Sequence, residues 1–146
     1  MNPTLELAKE LISRPSITPS DEGCQELIAK RLEAINFKIE HVPFGDVKNL
    51  WATYGESGPL FIFLGHTDVV PVDGQEWSSD PFVIRRDNGR LYGRGSCDMK
   101  GFIGIALSKL PEMKSLKRPI HFALSYDEEV GCLGAPDMID VISQEL

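Results

Sequence analysis

The stretch LFIFLGHTD, residues 60–68, sets the reading of this chain: five apolar residues, a glycine, then a histidine and an aspartate two positions apart. A short apolar run bounded by turn residues, here GESGP at 55–59, is the pattern of a strand buried on both faces in the middle of a helix-covered sheet. The pattern recurs at residues 120–129, IHFALSYDEE, where an apolar strand runs into Asp127, Glu128 and Glu129. Upstream, Asn2 as N-cap and Pro3 at the first helical position open a helix with Leu5, Ala8, Leu11 and Ile12 on one face. RPSITPSDEG at 14–23 breaks it, and Cys24, Leu27, Ile28, Leu32 and Ile35 mark a second helix capped by Thr18 or Ser20. Short strands are expected at 37–42 and 50–54, and a hairpin around Asp87-Asn88-Gly89 joins 82–86 to 90–92. Helices at 99–110 and 135–143 complete the set. Strands interleaved with helices give an α/β fold with a mixed, largely parallel sheet flanked by helices.

Composition narrows the function classes. The 146 residues, 42% hydrophobic and 25% charged, suit one soluble domain. Fifteen Lys and Arg against 22 Asp and Glu leave a net charge of −7, which argues against a nucleic-acid partner. No apolar run approaches a membrane span, and the start, MNPTLELAKE, has no secretory pattern. Three cysteines without CxxC spacing argue against a disulfide framework or zinc finger and point to a reducing cytoplasm.

The acids and one histidine carry the chemistry. His66 and Asp68 follow one apolar strand, Glu128 and Glu129 follow the other, and Asp98 sits in the glycine-bracketed loop GRGSCDMKG at 93–101. In open α/β sheets ligands bind beyond the carboxyl ends of the strands, so parallel strands would bring all three clusters to one crevice. The steps from His66 to Asp98 and from Asp98 to Glu129 are 32 and 31 residues, about one β-α unit each. Imidazole nitrogen and carboxylate oxygen are donors that catalytic zinc accepts. Asp68, on the same side of an extended segment as His66, can take the imidazole N–H and fix which nitrogen faces the metal. Of two adjacent glutamates at a strand exit, one can hold metal while the other faces substrate as a base. Taken singly, each piece has a plainer reading: an accidental His-x-Asp, a solvated acidic turn, a tight glycine turn without the P-loop order. His41 and His121 are read as surface or packing residues. Cys24, Cys97 and Cys132 are read as small buried fillers, and Trp51 and Trp77 as packing residues.

GHTDVVP at 65–71, EWSSDPF at 76–82, LYGRGSCDMKG at 91–101 and SYDEEVGCLGA at 125–135 resemble, in order and spacing, the zinc-dependent aminoacylase/carboxypeptidase family. Within it, HTDVVPVDGQEW and ALSYDEEVGCLGA look most like the bacterial acetylornithine deacetylases. That likeness implies hydrolysis of N-acetylornithine to ornithine and acetate, a step of arginine biosynthesis. Succinyl-diaminopimelate desuccinylases and dipeptidases of the same family are the alternative, and a non-catalytic binding or assembly module is the reading from another class. The resemblance implies two zinc ions, with cobalt as a possible substitute. His66 would bind one, Asp98 would bridge both and Glu129 would bind the second. Glu128 would be the general base and Asp68 would orient His66. It also implies a small-molecule N-acyl amino acid substrate, a cis peptide between Asp98 and Met99, and a homodimeric complete enzyme. Family members are longer, so residues 1–146 are expected to be the N-terminal portion of the catalytic domain, without the lid or dimerisation domain and the C-terminal part. With two protein ligands per zinc where three are usual, the isolated chain is expected to bind zinc weakly and to be inactive.

Overall fold

In a computed structural model, which describes residues 2–113 and 116–145, Asn2 opens helix α1, Pro3–Ile12. Its side-chain oxygen accepts the N–H groups of Thr4 at 3.0 Å and Leu5 at 3.3 Å, two of the donors a helix start leaves unpaired. Asn2→Ala should therefore cost about 1 kcal/mol. A urea midpoint unchanged from the parent would show that the cap contributes nothing. The buried face holds Leu7 together with Ala8, Leu11 and Ile12, while Leu5 is only half-buried. That rotation follows from the neighbouring helix α3, Lys100–Lys109, where a Cβ on Gly104 would lie 3.4 Å from the Ala8 backbone nitrogen.

Helix α2, Cys24–Glu33, starts differently from the expected Thr18 or Ser20 cap. Glu22 and Gly23 both take left-handed conformations, with φ of 53° and 76°. The turn carries the Asp21 carboxylate over the first turn, where it accepts the Gln25 N–H at 3.1 Å. Thr18 is directed elsewhere, its hydroxyl donating to Asp127 Oδ1 at 3.3 Å.

Strands β1, Lys38–Phe44, β2, Val47–Tyr54, β3, Phe61–His66, and β6, Ile120–Ser125, form a four-stranded sheet in the order β1-β2-β6-β3. Between them in sequence, β4, Arg85–Asp87, and β5, Arg90–Tyr92, make the expected hairpin, with Asn88 and Gly89 at positive φ as a two-residue turn requires. The mixed α/β class is as expected, but the balance of the sheet is not. β3 pairs parallel with β6, whereas β1–β2 and β2–β6 are antiparallel. Adjacent β1 and β2 need only a two-residue turn at Gly45-Asp46, and this short connection forces the antiparallel pairing.

The strand buried on every side is β6, not β3. Every residue of β6 is buried, while Phe61 and Leu64 on β3 are 54% and 60% exposed, because β3 lies at the sheet edge. Alternation along the strands divides the core. Leu50, Ala52, Phe122 and Leu124 meet α1, α2 and α3 on one face. Trp51 and Ala123 meet Met138 of α4, Pro136–Glu145, on the other. Phe122 anchors the larger cluster, stacked on Phe63 at 4.7 Å and edge-on to Phe37 at 5.9 Å. Burying one such ring is worth about 1.5–3 kcal/mol. Among the described residues, no helix is long and apolar enough to cross a membrane.

Candidate metal centre

Parallel pairing of β3 and β6 sets His66 opposite Ser125, so both polar tips emerge at the same end of the sheet. Asp98 arrives from the loop before α3. That loop folds back on itself: the Gly101 N–H donates to Gly95 O at 3.3 Å, and a Cβ on Gly101 would strike the Ser96 carbonyl oxygen at 2.1 Å. The peptide between Asp98 and Met99 is cis, and the His66 N–H donates to Met99 Sδ at 3.2 Å.

All five residues singled out in the sequence meet here. One ligand atom each from His66, Asp98 and Glu129 lies within 4.8 Å of the others. His66 Nε2 is 3.1 Å from Asp98 Oδ1 and 3.6 Å from Glu128 Oε2. On the far side of the ring, His66 Nδ1 lies 3.1 Å from the Asp68 main-chain oxygen and 3.4 Å from its carboxylate Oδ1. A proton on Nδ1 shared with these acceptors leaves the Nε2 lone pair facing the acidic cluster. The other Asp68 oxygen, Oδ2, accepts the N–H groups of Glu128 at 2.9 Å and Glu129 at 3.2 Å. Asp68 therefore joins the two strand tips as well as orienting the histidine, a second function that sequence spacing did not suggest.

The electrostatics favour a cation. Burial works against protonation of His66, yet its hydrogen bond to Asp68 and the charges of Asp68 and Glu128 lift it to about 9. Glu129 is pushed upward, first by burial and then by Asp98, Glu128 and Asp68, with His66 acting in the opposite direction. Burial alone would raise Asp68, but its hydrogen bonds from His66, Glu129 and Glu128 hold it below the ordinary value. Four carboxylates around one imidazole are short of positive charge, and a proton on His66 supplies it when nothing stronger does. One nitrogen and two oxygen donors within a few ångströms are a set that zinc accepts, so the residues fit the metal the sequence suggests.

Several neighbours were missed or misread from the sequence. The Thr67 hydroxyl donates to Asp21 Oδ1, tying the start of α2 to the β3 tip. Burial raises the Asp21 carboxyl, against the lowering effect of Thr67. Cys24 is buried as expected, but Cys97 and Cys132 are exposed, because both sit in turns outside the core. His121 packs edge-on to Trp51 at 5.0 Å, in the structural role expected of it. Trp77 is partly exposed, with the Arg94 guanidinium 5.0 Å from its ring centre. An exposed thiol or a stacked Trp-Arg pair has no periodic signature by which the sequence could reveal it.

The model of peptidase family M20/M25/M40 matches residues 62–146. Succinyl-diaminopimelate desuccinylase of Xylella fastidiosa (strain 9a5c) is 54% identical over 104 residues, covering 70% of this chain and 28% of its own length. The protein of the same name from Coxiella burnetii (strain Dugway 5J108-111) is 43% identical over 153 residues, covering 99% of this chain and 40% of its own length. The chain thus spans well under half the length of these curated relatives. Among solved structures, the M20 family metallo-carboxypeptidase Sso-CP2 from Sulfolobus solfataricus has a TM-score of 0.83 at 24% identity, over 100% of this chain and 36% of that one. Human carnosine dipeptidase 1 has a TM-score of 0.82 at 24% identity, over 94% of this chain and 34% of that one. At that identity the likeness is one of fold. The two curated relatives carry the name that the sequence held as the alternative to acetylornithine deacetylase.

Proposed function

This chain belongs to peptidase family M20/M25/M40, and from that membership we propose that its cluster of His66, Asp68, Asp98, Glu128 and Glu129 is the centre of a metal-dependent amide hydrolase acting on N-succinyl-diaminopimelate. The observation that carries the hydrolase reading is the meeting of His66, Asp98 and Glu129 within 4.8 Å, with the Glu128 carboxylate beside them. The 43% identity to a desuccinylase across nearly the whole chain supports the substrate. His66 would hold one zinc ion, Glu129 a second, and Asp98 both. When bound, zinc acts as a Lewis acid that polarises the amide carbonyl and makes water acidic enough to attack near neutral pH.

The chain's own residues do the rest. Glu128 accepts a proton from the attacking water as its oxygen bonds to the succinyl carbon, and returns that proton to the departing amine nitrogen as the C–N bond breaks. The products are succinate and the free diamino acid. Asp68 holds the His66 ring by Nδ1 and holds the Glu128 and Glu129 backbone by their N–H groups, so donor and base keep one mutual geometry.

The test compares hydrolysis of N-succinyl-diaminopimelate and N-acetylornithine by a zinc-loaded full-length enzyme carrying these residues. Expressed as kcat/KM, the ratio reads specificity even where turnover is slow. A site that pairs with the succinyl carboxylate should favour the succinyl substrate by about tenfold or more, since leaving such a site unpaired is costly. Preference for N-acetylornithine would overturn the desuccinylase reading and restore the deacetylase one.

A further inference from the structure

The loop after β6, YDEEVGCLGA at 126–135, turns back on Glu128. Asp127 and Cys132 both adopt left-handed conformations, with φ of 58° and 55°. The Gly134 N–H donates to Asp127 O at 3.1 Å and the Cys132 N–H to Glu128 O at 2.9 Å. A Cβ on Gly134 would lie 1.8 Å from the Tyr126 carbonyl oxygen, so the return is open only to glycine. The closed loop sets the Cys132 thiol on the Glu128 carboxylate, Sγ donating to Oε1 at 3.2 Å. The other oxygen, Oε2, is the one 3.6 Å from His66 Nε2.

We infer that Cys132 is a positioning residue for Glu128: its S–H occupies Oε1 and turns Oε2 toward the cluster as the proton-accepting oxygen. This rests on the reading of Glu128 as the general base. Glu128 is held at three points, its N–H by Asp68, its carbonyl by the Cys132 N–H and its carboxylate by the Cys132 thiol. A glutamate side chain one-third exposed at a loop tip otherwise has several rotamers open to it, and a general base must lie within hydrogen-bond reach of the water it deprotonates. The contact also keeps the donor in its donating form. The hydrogen bond to Glu128 and the charge of that carboxylate both push the thiol up, so at neutral pH it remains S–H rather than thiolate.

Two measurements test the inference. In the first, the protein is alkylated with iodoacetamide at neutral pH and modification of each cysteine is followed by mass spectrometry. Replacing Glu128 by alanine should speed modification of Cys132 by about five- to tenfold, since only the thiolate reacts, while Cys97 serves as the internal control. Equal Cys132 rates with and without the glutamate carboxylate would overturn the inference. In the second, hydrolysis of N-succinyl-diaminopimelate is compared in a zinc-loaded full-length enzyme carrying these residues. Cys132→Ala should lower kcat about three- to tenfold with KM and zinc content unchanged, and Cys132→Ser, whose hydroxyl can donate in the same place, should restore it to within about twofold. A Cys132→Ala kcat equal to the parent's, alongside a Glu128→Ala protein that has lost activity, overturns the positioning role alone. Full activity in both variants overturns the general-base reading on which it rests.

Discussion

In a full-length enzyme carrying these residues, Glu128→Ala should lower kcat by about 10²–10⁴-fold, the usual effect of losing a placed general base, while zinc content stays close to that of the parent. The separation of the two effects follows from geometry. The ligand atoms that converge within 4.8 Å belong to His66, Asp98 and Glu129, and Glu128 stands beside them, 3.6 Å from the histidine nitrogen. Its backbone N–H is held by Asp68, a contact that alanine keeps, so the loop should not move. Metal analysis after dialysis, with kcat on the same preparation, decides the outcome. Glu129→Ala should show the opposite pattern, with zinc lost and activity lost along with it. If zinc instead left with the Glu128 carboxylate and remained without that of Glu129, the two glutamates would exchange roles.

Lys100→Ala should destabilise the fold by about 3–5 kcal/mol, a large part of the roughly 5–15 kcal/mol that holds a domain of this size. Lys100 is the first residue of α3 and is fully buried. Its ammonium donates to Leu11 O at 2.9 Å and Arg14 O at 2.7 Å, carbonyls at and just past the end of α1 that also accept the backbone N–H groups of Arg14 and Ser16. Burial pulls the lysine below its ordinary value, while Cys24 and Asp21 push it back up. Truncation removes a filled volume and two charge-assisted hydrogen bonds at once. Lys100→Met separates the two, because it keeps the volume and loses only the hydrogen bonds, at about 2–4 kcal/mol. Urea unfolding of both variants provides the measurement. A change within about 0.5 kcal/mol of the parent would mean that water reaches the two carbonyls and that the lysine holds nothing there.

Features governed by neighbours in the chain were legible from residue order. Asn2 and Pro3 start α1, Asn88-Gly89 turns the hairpin, and the apolar runs ending in His66 and in Glu128–Glu129 became β3 and β6 with their tips at one end. These features depend on caps, turn conformations and periodicity within a few residues, where side-chain type nearly dictates backbone shape. The site was legible for the same reason: a strand exit states where its polar tip will lie once the strand is parallel to its partner. Tertiary structure decided what depends on distant partners. An apolar run such as LFIFL can be a central or an edge strand, and here β6 took the centre, leaving Leu64 exposed. Nothing in the order of residues marks Lys100 for burial, which comes from two carbonyls of residues 86 and 89 positions away. Asp68 reads as the partner of His66 alone until the tip of β6, 60 residues on, brings two N–H groups to its second oxygen. Hydrogen bonds of this kind act over about 3 Å in space and carry no period along the chain, so only the assembled fold assigns them.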